Sequence, residues 1–301
     1  MKKEIVLAEE AVFNAAPSLE VIEKRFPVRT ACGLLDASDP FFGYSYRSPE
    51  FLSFMGLVRK CCSDPEFREY LNLCLIFFAK DFFRRYEENS LPEEFLIEFE
   101  RNIKKTLQGI AIRNQAVCFS LESDVFWKEL GIVRQVLIPC VSHLIYRFSG
   151  VPRRVFFAHG SVRKRAKVMA DVFFRCGGFR PFMENHVHPL MLEGFNEHGR
   201  EQCFRLVAQL LERWPESRGL VGSSWYYDEA LGAVSPNLAY LHQTPAGKGA
   251  FFLDLGESEQ AKSDASQRSA KRHALIDAGV YRPRNVMMIW GRREIIRAYG
   301  G

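Results

Sequence analysis

The chain has 301 residues, of which 47% are hydrophobic and 26% charged, and its formal net charge is +5. This is ordinary globular composition, and it excludes disorder, collagen and coiled coil as the main state. The charge is too small for a dedicated nucleic-acid binder and is unevenly spread: residues 1–150 hold 19 basic and 21 acidic side chains, residues 151–301 hold 22 and 15, and the stretch 147–180 sets nine basic residues against one acid, Asp171.

Residues 1–50 read as irregular, punctuated by Pro17, Gly33, Pro40, Gly43 and Pro49. A short apolar helix is predicted over 51–62. Asp64-Pro65-Glu66 then has the form of a helix start, with Asp as cap and Pro in the first turn. Phe67, Leu71, Cys74, Phe78 and Phe82 follow at spacings of three and four, as an amphipathic helix requires. Ser90-Leu91-Pro92-Glu93 has capping-box form and opens a second long helix to about Gln115. Further helices are predicted over 124–148 and 161–176. The second of these has Val162, Ala166, Met169 and Phe173 on its buried face and stops at Gly177-Gly178.

The pattern changes after Gly178. Arg180 to His188 reads as extended, and Asn196 caps a helix whose inner face is Cys203, Val207, Leu210 and Trp214. Gly219 to Tyr227 is strand-like. Tyr240 to Leu255 reads as one or two strands around Pro245-Ala246-Gly247. A helix ends near Gly279, Val286 to Trp290 forms a last strand, and a short basic helix closes the chain. The predicted fold class is therefore α+β: a helical region over 1–175, followed by an α/β domain over 176–301 with a mixed sheet.

The eight cysteines are scattered and no Cys-x-x-Cys occurs, which points to reduced thiols in a cytoplasmic protein rather than a disulfide framework. Glutamates interrupt the N-terminus, arguing against a signal peptide. No apolar run approaches the roughly 18 residues of a membrane span. The helical region is a natural cover for the sheet, a lid or a homodimer contact.

The densest polar cluster is Glu184-Asn185-His186-Val187-His188. On a strand, alternate side chains share a face, so Glu184, His186 and His188 point one way, and Met183, Asn185 and Val187 the other. Two imidazoles and a carboxylate are the ligand types of a non-haem iron or catalytic zinc site, with Glu193 as a further ligand. They are equally the groups of a general base and its support. His186-x-His188-x4-Glu193 resembles the first metal motif of the cupin family over about ten residues. The amphipathic helix that follows stands where a cupin continues as strand.

A broader resemblance rests on element order. Strand 180–188, helix 197–214, strand 219–227, a short helical piece at 236–241 and strand 250–255 resemble the C-terminal half of the GNAT N-acyltransferase superfamily. In that family a central strand leads into a pyrophosphate-binding loop and helix. The corresponding loop is Phe195-Asn196-Glu197-His198-Gly199-Arg200, with one glycine where the family pattern has two. The resemblance implies an acyl-CoA or acyl-carrier thioester held at Asn196, Gly199 and Arg200, and an amine or amino acid as the small-molecule substrate. It further implies Glu184 or His186 as base, and Tyr226 or Tyr227 as acid for the leaving thiolate.

Arg163-Lys164-Arg165-Ala166-Lys167 opens the helix at 161, and a solvated basic face is its default reading. As a phosphate cradle, Arg163 and Arg165 would join the donor site. His143, His159, His242 and His273 are isolated. Three readings follow. The first is a GNAT-like acyltransferase centred on Glu184, His186, His188, Tyr226 and Tyr227. The second is an iron or zinc enzyme using Glu184, His186, His188 and Glu193. The third is a non-catalytic anion- or partner-binding module on the basic 147–180 surface.

Overall fold

In the computed structural model the described residues are 1–37, 42–113, 119–153 and 161–301. They fold as α+β, with a six-stranded mixed sheet in the order β1-β2-β3-β4-β6-β5. The chain forms two compact units. One comprises 1–146 with 187–193, the other 147–186 with 194–301. The expected boundary at 175 falls inside the second of them.

The first unit is built from α1 (Lys2–Ala15), α2 (Leu19–Arg25), α3 (Val28–Asp36), α4 (Pro49–Lys60), α5 (Asp64–Asn89), α6 (Glu93–Ala111) and α7 (Asp124–Val133). Residues 1–36 are thus mostly helical rather than irregular. In α1, Ile5, Ala8 and Val12 form a buried stripe at helical spacing. The cap of α5 is Ser63, not Asp64: Ser63 and Glu66 exchange hydrogen bonds as a capping box. Ser90 does not cap α6. It ends α5 in the left-handed conformation, at φ +49°, and Pro92 occupies the cap position of α6.

The span 124–148 is not one helix. After α7 the chain forms a hairpin of β1 (Leu137–Cys140) and β2 (His143–Ser149), paired from Leu137–Tyr146 to Cys140–His143. Both strands are short apolar runs, which periodicity alone does not separate from a buried helix. Val141, at φ +55°, makes the turn.

The second unit contains α8 (Val162–Phe174), β3 (Phe182–His186), α9 (Glu197–Arg213), β4 (Gly219–Ser224), α10 (Leu231–Val234), α11 (Tyr240–Gly247), β5 (Phe251–Glu257), α12 (Glu259–Ser266), α13 (Ala270–Asp277), β6 (Arg284–Gly291) and α14 (Arg292–Tyr299). Residues 240–247 are helix, not strand. β3 and β4 are parallel and joined by α9, while β6 runs antiparallel between β4 and β5.

The two faces of this sheet carry different cores. Phe182, Val221, Leu253, Met287 and Ile289 pack with Val168, Val172 and Cys176 on the α8 side. On the other face Trp290 meets Phe204 of α9, with ring centroids 5.0 Å apart, and Tyr299 of α14 at 5.9 Å. The buried stripe of α8 is therefore Val168 and Val172. Val162, Met169 and Phe173, expected inside, are exposed. Apolar residues surround this helix, and the sheet selects a different stripe from the one spacing suggests.

Candidate functional site

β3 and β4 are in register only at Met183–Leu220 and Glu184–Val221. Past that point the strands stop pairing, and a side chain fills the junction. Asn185 is buried, and its Oδ1 lies 1.7 Å from where a Cβ on Gly222 would stand. Only glycine leaves room for it there.

Asn185 Nδ2 donates to the phenolic oxygen of Tyr227 at 2.9 Å, and Arg200 Nη2 donates to the same oxygen at 3.2 Å. Two side-chain donors are thus directed at this oxygen, and the Tyr226 hydroxyl is hydrogen-bonded to Tyr227 as well. Tyr227 is fully buried in the turn after β4, and His242 of α11 bonds its carbonyl through Nδ1 at 2.8 Å. Because a carbonyl only accepts, that ring carries its proton on Nδ1. The His242 ring stacks on Phe252 at 4.1 Å, which fixes it further. Tyr226 lies against Tyr227 at 4.7 Å and against Phe195 at 5.5 Å. Burial, and then the neighbouring Tyr227, hold the Tyr226 hydroxyl well above the usual tyrosine range.

Arg200 sits in the first turn of α9 but is turned inward. It is 2% exposed, and its guanidinium lies 4.6 Å from the Phe204 ring centroid. Burial opposes its charge, but the Tyr227 and Tyr226 oxygens outweigh that and raise its pKa. It therefore acts on Tyr227 rather than on a phosphate at the surface, contrary to expectation. The start of α9 is otherwise as expected. Asn196 Oδ1 accepts the Gly199 N–H at 2.9 Å. A Cβ on Gly199 would fall 2.1 Å from the Gly194 carbonyl oxygen, so the single glycine of the loop is a packing requirement.

The expected Glu/His/His face does not form as one site. β3 ends at His186, so alternation does not extend to His188. Glu184 pairs with Val221 and shares its face with Phe182, on the α8 side. There it accepts from Ser149 Oγ at 2.7 Å and lies 3.7 Å from His186 Nε2. Glu184 and His186 thus face away from Asn185 and Tyr227, across the thickness of the sheet.

His188 belongs to the first unit, buried at 3.1 Å from Glu129 Oε1. Glu193 is exposed and pairs with Lys105 at 3.0 Å. Among the described residues no group of three His, Cys, Asp or Glu side chains is placed to hold a metal ion. The ligand set Glu184, His186, His188 and Glu193 is therefore not assembled.

Arg163 and Arg165 are on α8, on the opposite face of the sheet from α9, and so do not join Asn196 and Gly199. His198 is exposed and bonded to Gln202. His143 is buried beside Ser142 Oγ at 2.8 Å, and His273 pairs with Asp277 at 3.2 Å. His159 and Cys118 lie outside the described residues, and the seven described cysteines are thiols. No described helix is long and apolar enough to cross a membrane.

Spacing alone passes over Asn185 and His242. The available signal for Asn185 is an amide two residues after the apolar Met183, on the face assigned away from the histidines. Comparison with protein-family models, with curated proteins and with solved structures gives no match.

Proposed function

We propose that the second unit is a GNAT-like acyltransferase that moves an acyl group from a pantetheine-type thioester to a small amine. The observation that carries this reading is Asn185 Oδ1. It is buried, and no described group donates a hydrogen bond to it, at the point where β3 and β4 cease to pair. An unsatisfied buried acceptor costs about 1–3 kcal/mol, and native folds keep such atoms mainly where function needs them. The amide N–H of a pantetheine arm is the donor that suits it.

The supporting features are the strand–helix–strand order around a parallel pair and the N-terminus of the 17-residue α9, whose first-turn amides favour a phosphate group. In the reaction the amine nitrogen attacks the thioester carbonyl and the carbon–sulfur bond breaks. Tyr227 gives its proton to the leaving sulfur, and its oxygen recovers one from the nitrogen that has gained the acyl group. Asn185 and Arg200 hold the phenol through both transfers. Glu184 and His186 have no part, since they face the other side of the sheet.

Binding of coenzyme A by calorimetry tests the donor site. Asn196→Asp keeps an oxygen for the helix cap and adds a negative charge where the phosphates would lie. Affinity is expected to fall about 10-fold, the effect of roughly 1.4 kcal/mol. A wild-type protein that binds no coenzyme A, or a variant that binds it equally well, contradicts the proposal.

A further inference from the structure

At the other end of β4 lies a cavity of about 700 Å³ lined by Arg175, Arg218, Arg292, Arg293, Arg297 and Glu216 among others. Arg218 directly precedes β4 while Tyr227 follows it, so the six-residue strand separates this cavity from the candidate site by roughly 20 Å.

Two of the arginines are held by their bases. Arg218 Nε donates to the Arg180 carbonyl, and Arg292 Nε donates to the Leu211 carbonyl at 3.1 Å. The Nη pair of each is the edge left to grip a ligand. A Cβ on Gly177 would come within 2.6 Å of Arg218 Nη1, so the glycine turn after α8 makes space for that guanidinium. Glu216 pairs with Arg147 at 3.1 Å, and Glu294 Oε1 pairs with Arg175 of the lining at 3.3 Å, while Glu294 Oε2 has no hydrogen-bond partner among the described residues.

The arrangement breaks a local rule. Arg292 and Arg293 open α14, where the helix dipole disfavours positive charge, although Glu294 beside them supplies a negative charge in the same turn and Arg297 stands in the last turn, where the dipole favours a positive one. Arg297 follows one turn later and adds like-charge repulsion. Such a cluster is costly unless an anion completes it.

We infer that this cavity binds a compact oligophosphate, a small molecule carrying two or three phosphoryl groups, at a second site separate from the one proposed for acyl transfer. Arginine forks suit the paired oxygens of phosphate, and the volume lies in the range of small-molecule sites. No aromatic ring is among the described lining residues, so the cavity has no platform for stacking bases. That favours a small ligand over a nucleic acid.

The test is calorimetric titration of the full chain with inorganic tripolyphosphate in about 0.15 M salt, where surface charges are screened beyond roughly 8 Å. Saturable binding is expected, about 10-fold or more weaker in Arg293→Ala/Arg297→Ala. Both side chains are exposed, so this variant is expected to fold, and an unchanged melting temperature without ligand checks it. Arg293→Ala/Arg297→Ala is expected to bind coenzyme A as the wild type does, which separates this site from the donor site. Absence of saturable binding, equal affinity in the double variant, equal binding of citrate, or tighter binding of a single-stranded RNA 20-mer would each overturn the inference.

Discussion

Asn185 occupies the space that a side chain at position 222 would need, with its Oδ1 1.7 Å from the ideal Cβ position of Gly222. The two residues lie on neighbouring strands where pairing stops, so the amide keeps them apart while holding Tyr227. Gly222→Ala is expected to cost about 1–3 kcal/mol in urea unfolding through overpacking. Adding Asn185→Ala is expected to restore most of that loss, because the clash is specific to the pair. Two independent, additive losses would contradict this packing.

The pair His188–Glu129 lies in the interior of the first unit. Both side chains are buried, the Thr106 hydroxyl donates to Glu129 Oε2 at 2.6 Å, and the Leu190 N–H donates to His188 Nδ1 at 3.2 Å. That leaves the ring hydrogen on Nε2, which lies 3.1 Å from Glu129 Oε1 without making a hydrogen bond to it. Glu129→Ala is expected to cost about 3 kcal/mol in chemical denaturation, as for other broken buried pairs. Glu129→Gln, which keeps an acceptor, is expected to cost clearly less. Equal losses in the two variants would show that the carboxamide does not take over the hydrogen bonds.

Asp228 gives a pH dependence of definite sign. Burial raises its carboxyl pKa, against the opposing effects of the Ala230 N–H and of Arg284. A carboxyl whose folded pKa lies above its unfolded value binds more protons when folded, so stability falls as pH rises through that interval. Asp228→Asn removes this penalty and keeps an oxygen for the Ala230 N–H, 3.1 Å away in the wild type. The variant is expected to gain melting temperature relative to wild type between pH 3.5 and pH 6.5. A relative loss over that range would reverse the assignment.

The sequence made some of this legible and concealed the rest for physical reasons. Caps and periodicity locate α4, α5 and α9, because local hydrogen bonds and a single apolar stripe determine them. The β1–β2 hairpin is concealed because its strands are buried apolar runs with no alternation to read. On α8 the choice between Met169 and Val168 as the inward residue depends on the sheet beneath it, which only the tertiary fold supplies. On β3 alternation correctly separates Glu184 and His186 from Asn185. It does not say which face holds Tyr227, nor that the strand ends before His188. Asn185 derives its meaning from Gly222, 37 positions further along the sequence.

The proposed role of Tyr227 as proton donor is tested most directly by steady-state release of free thiol from a panel of acyl-CoA thioesters with small amine acceptors. The wild-type chain is expected to turn over at least one donor. Tyr227→Phe keeps the ring and removes only the hydroxyl, and it is expected to lower kcat about 100-fold, in the range of general acid catalysis, with KM for the donor little changed. A wild type inactive across the panel, or a Phe variant as fast as wild type, would contradict it.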